Sequence, residues 1–259
     1  MSANTSEVIQ QGRIQWVKPH WPAPARVWAG TTTRTGGYSR APFDSLNLAG
    51  HVADVDEAVQ ANRRLLVGDL SLPGQPQWLA QCHSTRVVKV PFKGITQADA
   101  AYTCEPDRIC AVLTADCLPV LLCDRDATVV AAIHAGWRGL LAGIIARTVE
   151  ILPVQRQHLL AWLGPAIGVV HYQVGEEVYR QFVDVHPDYC HCFRQMADGW
   201  YLDMAAAGEV ALQAVGVRQV YHSGLCTYAH GEYFFSYRRD ATTGRMASLI
   251  YIARACEPT

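Results

Sequence analysis

Charge is scarce in this chain. Only 17% of its 259 residues are charged, and 22 basic against 23 acidic side chains leave a net charge of -1. Nothing provides the basic footprint that holds a phosphate backbone, which excludes nucleic acid as a partner. The sequence also lacks an apolar leader ending in a small-residue cleavage site, internal repeats and low-complexity segments. Its nine cysteines are odd in number and follow no disulfide-scaffold spacing, so reduced thiols in a cytoplasm are expected. One stretch, Thr128 to Ala146, is apolar enough to suggest a membrane span, but His134, Trp137 and Arg138 fall near its middle, where lipid burial is costly. No membrane segment is expected.

What is present is apolar bulk, half of all residues, enough for a large core. A single domain over residues 1–259 is expected, with Met1 to Gln11 polar and frayed. Val27 to Thr33 has the β-branched content of a strand, and apolar residues recur at helical spacing from Val55 to Leu66, with Asp54 or Asp56 to cap the start. QWLAQCHS and RVVKVPF read as a strand pair, DRICAVLTAD as a buried strand, and PVLLCDRDATVVAAIHAG as a hairpin. LLAGIIARTVEIL predicts one long helix, HLLAWLGPAIG a strand, GEEVYRQFV and LDMAAAGEVALQAVG helices, and QVYHSG and ASLIYIA strands. Strands and helices mix without strict alternation, which gives an α+β class: packed mixed β-sheets flanked by helices.

The chemistry concentrates in TADCLPVLLCD, residues 114 to 124, and IHAGWRGLLAGI, residues 133 to 144. These place Cys117 and His134 at strand-to-turn junctions among small residues. With His83 from QCHSTRVV they form a three-ligand set that leaves a fourth tetrahedral corner open, as catalytic zinc requires. Taken alone, Cys117 would be a buried small hydrophobe, but Asp116 and Pro119 interrupt its apolar run. His83 is preferred to Cys82 because neighbours along a strand face opposite ways and only one can point inward. Arg138 at a helix start and Arg34 beside Gly36 and Gly37 are candidate anion contacts. Asp99 and Asp116 are expected to orient the ligands. The cluster His186, Cys190, His191 and Cys192 in HPDYCHCF lacks the CxxC spacing of a zinc knuckle and reads as a loop or helix end.

The motifs TTRTGGYS, SLNLAGHVAD, QCHSTRV, QADA, LTADCLPVLL, IHAGWRG, GPAIGVVHYQVGEEV and FFSYRRDATTGRMA occur in order from about Thr31 to Ala253. In this combination the chain resembles the YfiH family, formerly labelled multicopper polyphenol oxidases. The resemblance implies zinc, with copper as a possible occupant, held by His83, Cys117 and His134. It also implies phosphorolysis of adenosine, inosine, guanosine and methylthioadenosine, together with deamination of adenosine. In that setting Arg34 and Arg138 are the candidates for phosphate and Asn47 for a ribose or base contact. The acidic role falls to Glu176 or Glu177, because Gln173 stands where relatives commonly carry glutamate.

Rival readings are a copper-dependent laccase and a cysteine amide hydrolase that edits peptidoglycan precursors, with Cys117 as nucleophile and His134 as base. A laccase needs His-x-His pairs, and the ten histidines include none. A closed structural zinc would need a fourth ligand such as Cys82 or Cys104. The expected partners are a purine nucleoside and phosphate, handled by a monomer.

Overall fold

The long apolar runs become strands covered on both faces. In the computed structural model, which describes residues 6–94 and 96–255, every residue of the strands Cys110–Thr114, Leu118–Asp124, Val130–Ala135, Leu159–Leu163 and Met246–Ile252 is buried. Successive side chains of a strand point to opposite faces, so such strands need a layer on each side.

Two sheets supply that cover for each other. A five-stranded antiparallel sheet runs in the order Glu7–Gln11, Ile14–Lys18, Val27–Thr32, Met246–Ile252, Cys110–Thr114. A six-stranded mixed sheet runs Gln219–His222, Leu159–Leu163, Leu118–Asp124, Val130–Ala135, Ala100–Thr103, Val87–Lys89. Cys110 and Val112 of the first sheet meet Leu121, Cys123, Val130, Ala132 and Trp162 of the second in one core. Ala111 and Leu113 face the other way, onto Leu66 of the helix Asp56–Asp69. On the far side of the six-stranded sheet, Val120, Leu122, Ala131 and Ile133 pack against Leu140, Ile144, Phe182 and Leu212 of the helices there. The α+β class is therefore realised as helix, sheet, sheet, helices. Full burial of Trp162, Phe234 and Phe235 between the sheets contributes roughly 1.5–3 kcal/mol each.

Several local expectations change. QWLAQCHS and RVVKVPF do not pair with each other: Leu79–Ala80 lies parallel to Thr96–Gln97, and Val87–Lys89 parallel to Ala100–Thr103. The first strand stops at Ala80 because the Asp99 carboxylate takes the backbone N–H groups of Cys82, His83 and Ser84. LLAGIIARTVEIL is two helices, Trp137–Leu141 and Ile144–Ile151, broken where Gly143 turns left-handed at φ 91°. Glu7–Gln11 is paired with Ile14–Lys18 rather than frayed, whereas residues 1–5 lie outside the described residues. Among the described residues no helix is long and apolar enough to cross a membrane.

Candidate active site

The three residues between Thr114 and Leu118 carry the chain from the five-stranded sheet to the six-stranded one. This link contains Asp116, at φ 91°, and ends in Cys117. His134 lies next to it, paired in register with Pro119 near the end of the adjacent strand. His83 arrives from a loop, not a strand, with a left-handed φ of 59°. One ligand atom from each of the three lies within 4.8 Å of the other two, and Cys117 Sγ stands 3.8 Å from His83 Nε2.

The donor set fits a soft divalent ion. A tetrahedral zinc with its usual bond lengths to sulfur and nitrogen requires an S···N separation of about 3.6 Å. The gap among the side chains is kept clear by Gly136, where a Cβ would stand 2.5 Å from His83 Cδ2 and 3.1 Å from Cys117 Sγ. Neither Cys82 nor Cys104 joins this group; the Cys82 thiol faces Asp99 instead, at 3.7 Å.

Asp99 organises both imidazoles, as anticipated for it. Fully buried, its carboxylate accepts from His134 Nδ1 at 2.9 Å and from the backbone N–H of His83 at 3.0 Å, with further bonds from the Ser84 backbone and hydroxyl. Holding Nδ1 turns His134 Nε2 toward Cys117, the usual way a ligating imidazole is oriented. Burial acts to raise Asp99, but the bonds from His134 and Ser84 outweigh it and keep the carboxyl well below the usual range. Burial likewise acts to raise the Cys117 thiol, and the charge and hydrogen bonds of His134 and His83 bring it down to about 6. For His134 burial acts downward, yet Cys117 and Asp99 raise it to about 9. Without metal the pair is therefore thiolate and imidazolium near neutral pH.

The group opens into a cavity of about 410 Å³. Three arginines line it, each over an aromatic ring: Arg138 at 4.4 Å from the Trp137 centroid, Arg238 at 4.9 Å from Tyr172, and Arg245 at 5.8 Å from Tyr237. Among the described residues none of the three forms an ion pair, and the cavity's one carboxylate, Asp116, has its oxygens occupied by Thr227 Oγ1 at 2.6 Å and the Arg238 N–H at 2.7 Å. Asp116 thus anchors the arginine segment rather than an imidazole. Thr114 adds a buried hydroxyl with no partner among the described residues. Tyr172 is pushed up by burial and by the Cys117 charge, so its phenol stays protonated.

Arg138 lines the cavity from the first turn of the helix Trp137–Leu141. Arg34, Asn47 and Glu176 are not in the cavity wall. The Arg34 guanidinium donates to the Asp44 and Gly231 carbonyls, pairs with the Asp44 carboxylate and lies over Phe235, which makes it a loop clamp. Asn47 is fully buried; its oxygen accepts from the Arg245 N–H and its nitrogen donates to Asp54, so it supports an arginine of the site without facing a ligand. Glu176 is exposed in the first turn of the helix Glu176–Val185 and pairs with Arg180. Arg238 and Arg245 were visible in FFSYRRDATTGRMA, and Tyr172 in HYQVG, but only the chain's folding brings them to one cavity.

The chain matches the family model described as multi-copper polyphenol oxidoreductase laccase over residues 28–253. It is 46% identical to the protein of Shigella flexneri named purine nucleoside phosphorylase YfiH, over 91% of this chain and 98% of that protein. A purine nucleoside phosphorylase of Pseudomonas aeruginosa is 47% identical, covering 92% and 98%. Among solved structures, a Neisseria meningitidis protein superposes with a TM-score of 0.89 at 42% identity, covering 92% of this chain and 99% of that one. YlmD of Geobacillus stearothermophilus superposes at 0.88 and 32%, covering 96% and 100%. This chain therefore belongs to the YfiH family, the group whose model bears the laccase description.

Proposed function

We propose that the protein is a zinc-dependent purine nucleoside phosphorylase that splits adenosine, inosine, guanosine and methylthioadenosine with phosphate, and that the same site deaminates adenosine. The observation that carries this reading is the pairing of a three-ligand metal group with three guanidiniums that form no ion pair among the described residues. Phosphate enters as a dianion and keeps that charge while the ribose becomes electron-poor, so a phosphorolytic site needs fixed cations beside the sugar. Arg138, Arg238 and Arg245 bind and orient the anion, and the Thr114 hydroxyl is available to it or to the sugar. The cavity lies within the range of small-molecule sites.

His83, Cys117 and His134 would hold the metal, which would supply Lewis acidity beside the substrate; copper suits the same soft ligands. A multi-copper oxidase is disfavoured because its clusters need many histidines, whereas the described residues contain this single group. The proposal extends to a monomeric cytoplasmic enzyme, in keeping with eight unpaired cysteines among the described residues.

The test is product analysis by mass spectrometry, with zinc-loaded protein and adenosine, with and without phosphate, beside Cys117→Ala. Adenine formed only with phosphate establishes phosphorolysis, and inosine under both conditions establishes deamination. Neither product from the wild type, or full activity in metal-free Cys117→Ala, overturns the reading. The first of those outcomes directs attention to amide substrates such as peptidoglycan precursors, with Cys117 as a nucleophile.

A further inference from the structure

Tyr172 stands on the cavity wall with both its backbone and its ring fixed. It follows the short 3₁₀ turn Val169–His171; its N–H donates to the Val169 carbonyl at 3.3 Å and its carbonyl accepts from Leu202 at 3.0 Å. The ring carries the Arg238 guanidinium. Arg238 is held from two more sides, by its Nη1 donating to the Gln173 carbonyl at 3.0 Å and by its N–H on Asp116. Among the described residues the Tyr172 hydroxyl makes no hydrogen bond, although it shares the cavity with Cys117, Arg138 and Arg238. A part-buried phenol normally finds a partner. Here the residue lines the cavity a substrate would fill, and its hydroxyl is unpaired among the described residues.

Resting on the phosphorylase reading, we propose that Tyr172 is a catalytic residue with two separable duties: its ring positions Arg238 for phosphate, and its hydroxyl serves the departing purine. In phosphorolysis the C1′–N9 bond breaks, its electron pair leaves with the base, and a phosphate oxygen bonds to C1′. Monohydrogen phosphate brings one proton, the ribosyl phosphate dianion leaves without it, and the base gains one. The Tyr172 hydroxyl passes its proton to the purine and receives the phosphate's proton in return. Charge and protons then balance with no other reactant, and the residue ends as it began.

Tyr172→Phe and Tyr172→Leu separate the duties. Zinc-loaded wild type and both variants would be assayed with guanosine and with two ribosides whose leaving groups need no proton, 7-methylguanosine and 4-nitrophenyl riboside. Metal content would be measured in each protein. In Tyr172→Phe, kcat for guanosine should fall by about 10²-fold, the scale of one positioned proton donor. The other two substrates and the KM for phosphate should be nearly unchanged. Tyr172→Leu should in addition raise the phosphate KM by about 2- to 10-fold, because the guanidinium loses its ring. An active wild type whose Tyr172→Phe variant is equally impaired on all substrates, or on none, overturns the inference alone. A wild type inactive on all three overturns the phosphorylase reading as well.

Discussion

Replacing Gly136 by alanine should weaken metal binding without substituting a ligand. Gly136 caps the helix Trp137–Leu141 at φ -66° and ψ 158°, a conformation any residue adopts. On backbone grounds alone, Gly136→Ala would stabilise the fold by about 0.4–1 kcal/mol. The new methyl, however, would stand 2.5 Å from His83 Cδ2 and 2.9 Å from its Nε2, where ordinary contact begins at 3.4 Å. The imidazole must retreat by nearly 1 Å, several times the tolerance of about 0.2 Å on a metal–ligand distance. Disturbing a supporting contact of a ligand typically costs 10- to 100-fold in metal affinity, and a displaced ligand belongs at the upper end of that range. The assay is competition for zinc against a chelator of known affinity, with thermal unfolding of the metal-free proteins in parallel. Weakened zinc binding at an unchanged or higher unfolding temperature is the expected pattern. Wild-type affinity in Gly136→Ala would refute the claim that this gap belongs to the ion.

Asp99→Asn should weaken zinc binding by about 10- to 100-fold and destabilise the metal-free fold, since the carboxylate accepts from His134 and three backbone N–H groups. Because Asp99 is held below its ordinary value of 3.8, its contribution is complete above that pH and is lost progressively as the pH falls from there through the lowered value of the folded state. The stability gap between variant and wild type should shrink below about pH 4; a gap unchanged down to pH 2 contradicts this. In metal-free protein, alkylation of Cys117 followed by peptide mass analysis should show a midpoint near pH 6, the value to which His134 and His83 bring the thiol; a midpoint near 9 argues against the pair. Arg138→Ala should raise the KM for phosphate more than that for adenosine, by roughly 10-fold for one charge-assisted contact. Arg34→Ala should instead lower the unfolding temperature and leave the phosphate KM alone, and the opposite assignment would exchange the two roles.

The metal group was readable because its residues are chemically distinctive and sit beside small or turn-forming neighbours: Cys117 before Pro119, His134 before Ala135 and Gly136. His83, not Cys82, stands beside Cys117 and His134, but for a reason other than strand alternation. The alternation argument assumed a strand, and the strand ends at Ala80; the Asp99 carboxylate on three successive N–H groups sets the direction of His83 instead. Arg34 and Asn47 stand outside the cavity wall for a related cause. A dense polar motif signals many hydrogen bonds, and the sequence does not say whether the partner is a ligand or the chain's own carbonyls. Arg245 escaped because its nearness to Cys117 arises only when Met246–Ile252 pairs with Cys110–Thr114. The strands themselves were largely legible as apolar runs, whereas the break at Gly143 was hidden because glycine is tolerated within helical patterns.

The link at Ala115–Cys117 makes alignment of the two sheets a condition of activity. Cys117 immediately precedes a strand of the sheet that carries His134, while Thr114 ends a strand of the other sheet and Arg245 immediately precedes one. Sliding one sheet over the other by a fraction of an ångström would alter the spacing between the His-Cys-His group and the arginines while leaving both sheets intact. The side chains that resist such sliding, Trp162, Phe234 and Phe235, interlock between the sheets. Substitutions there that cost little stability should still appear as errors of alignment at the cavity, which makes this interior the gauge that sets the working distance of the site.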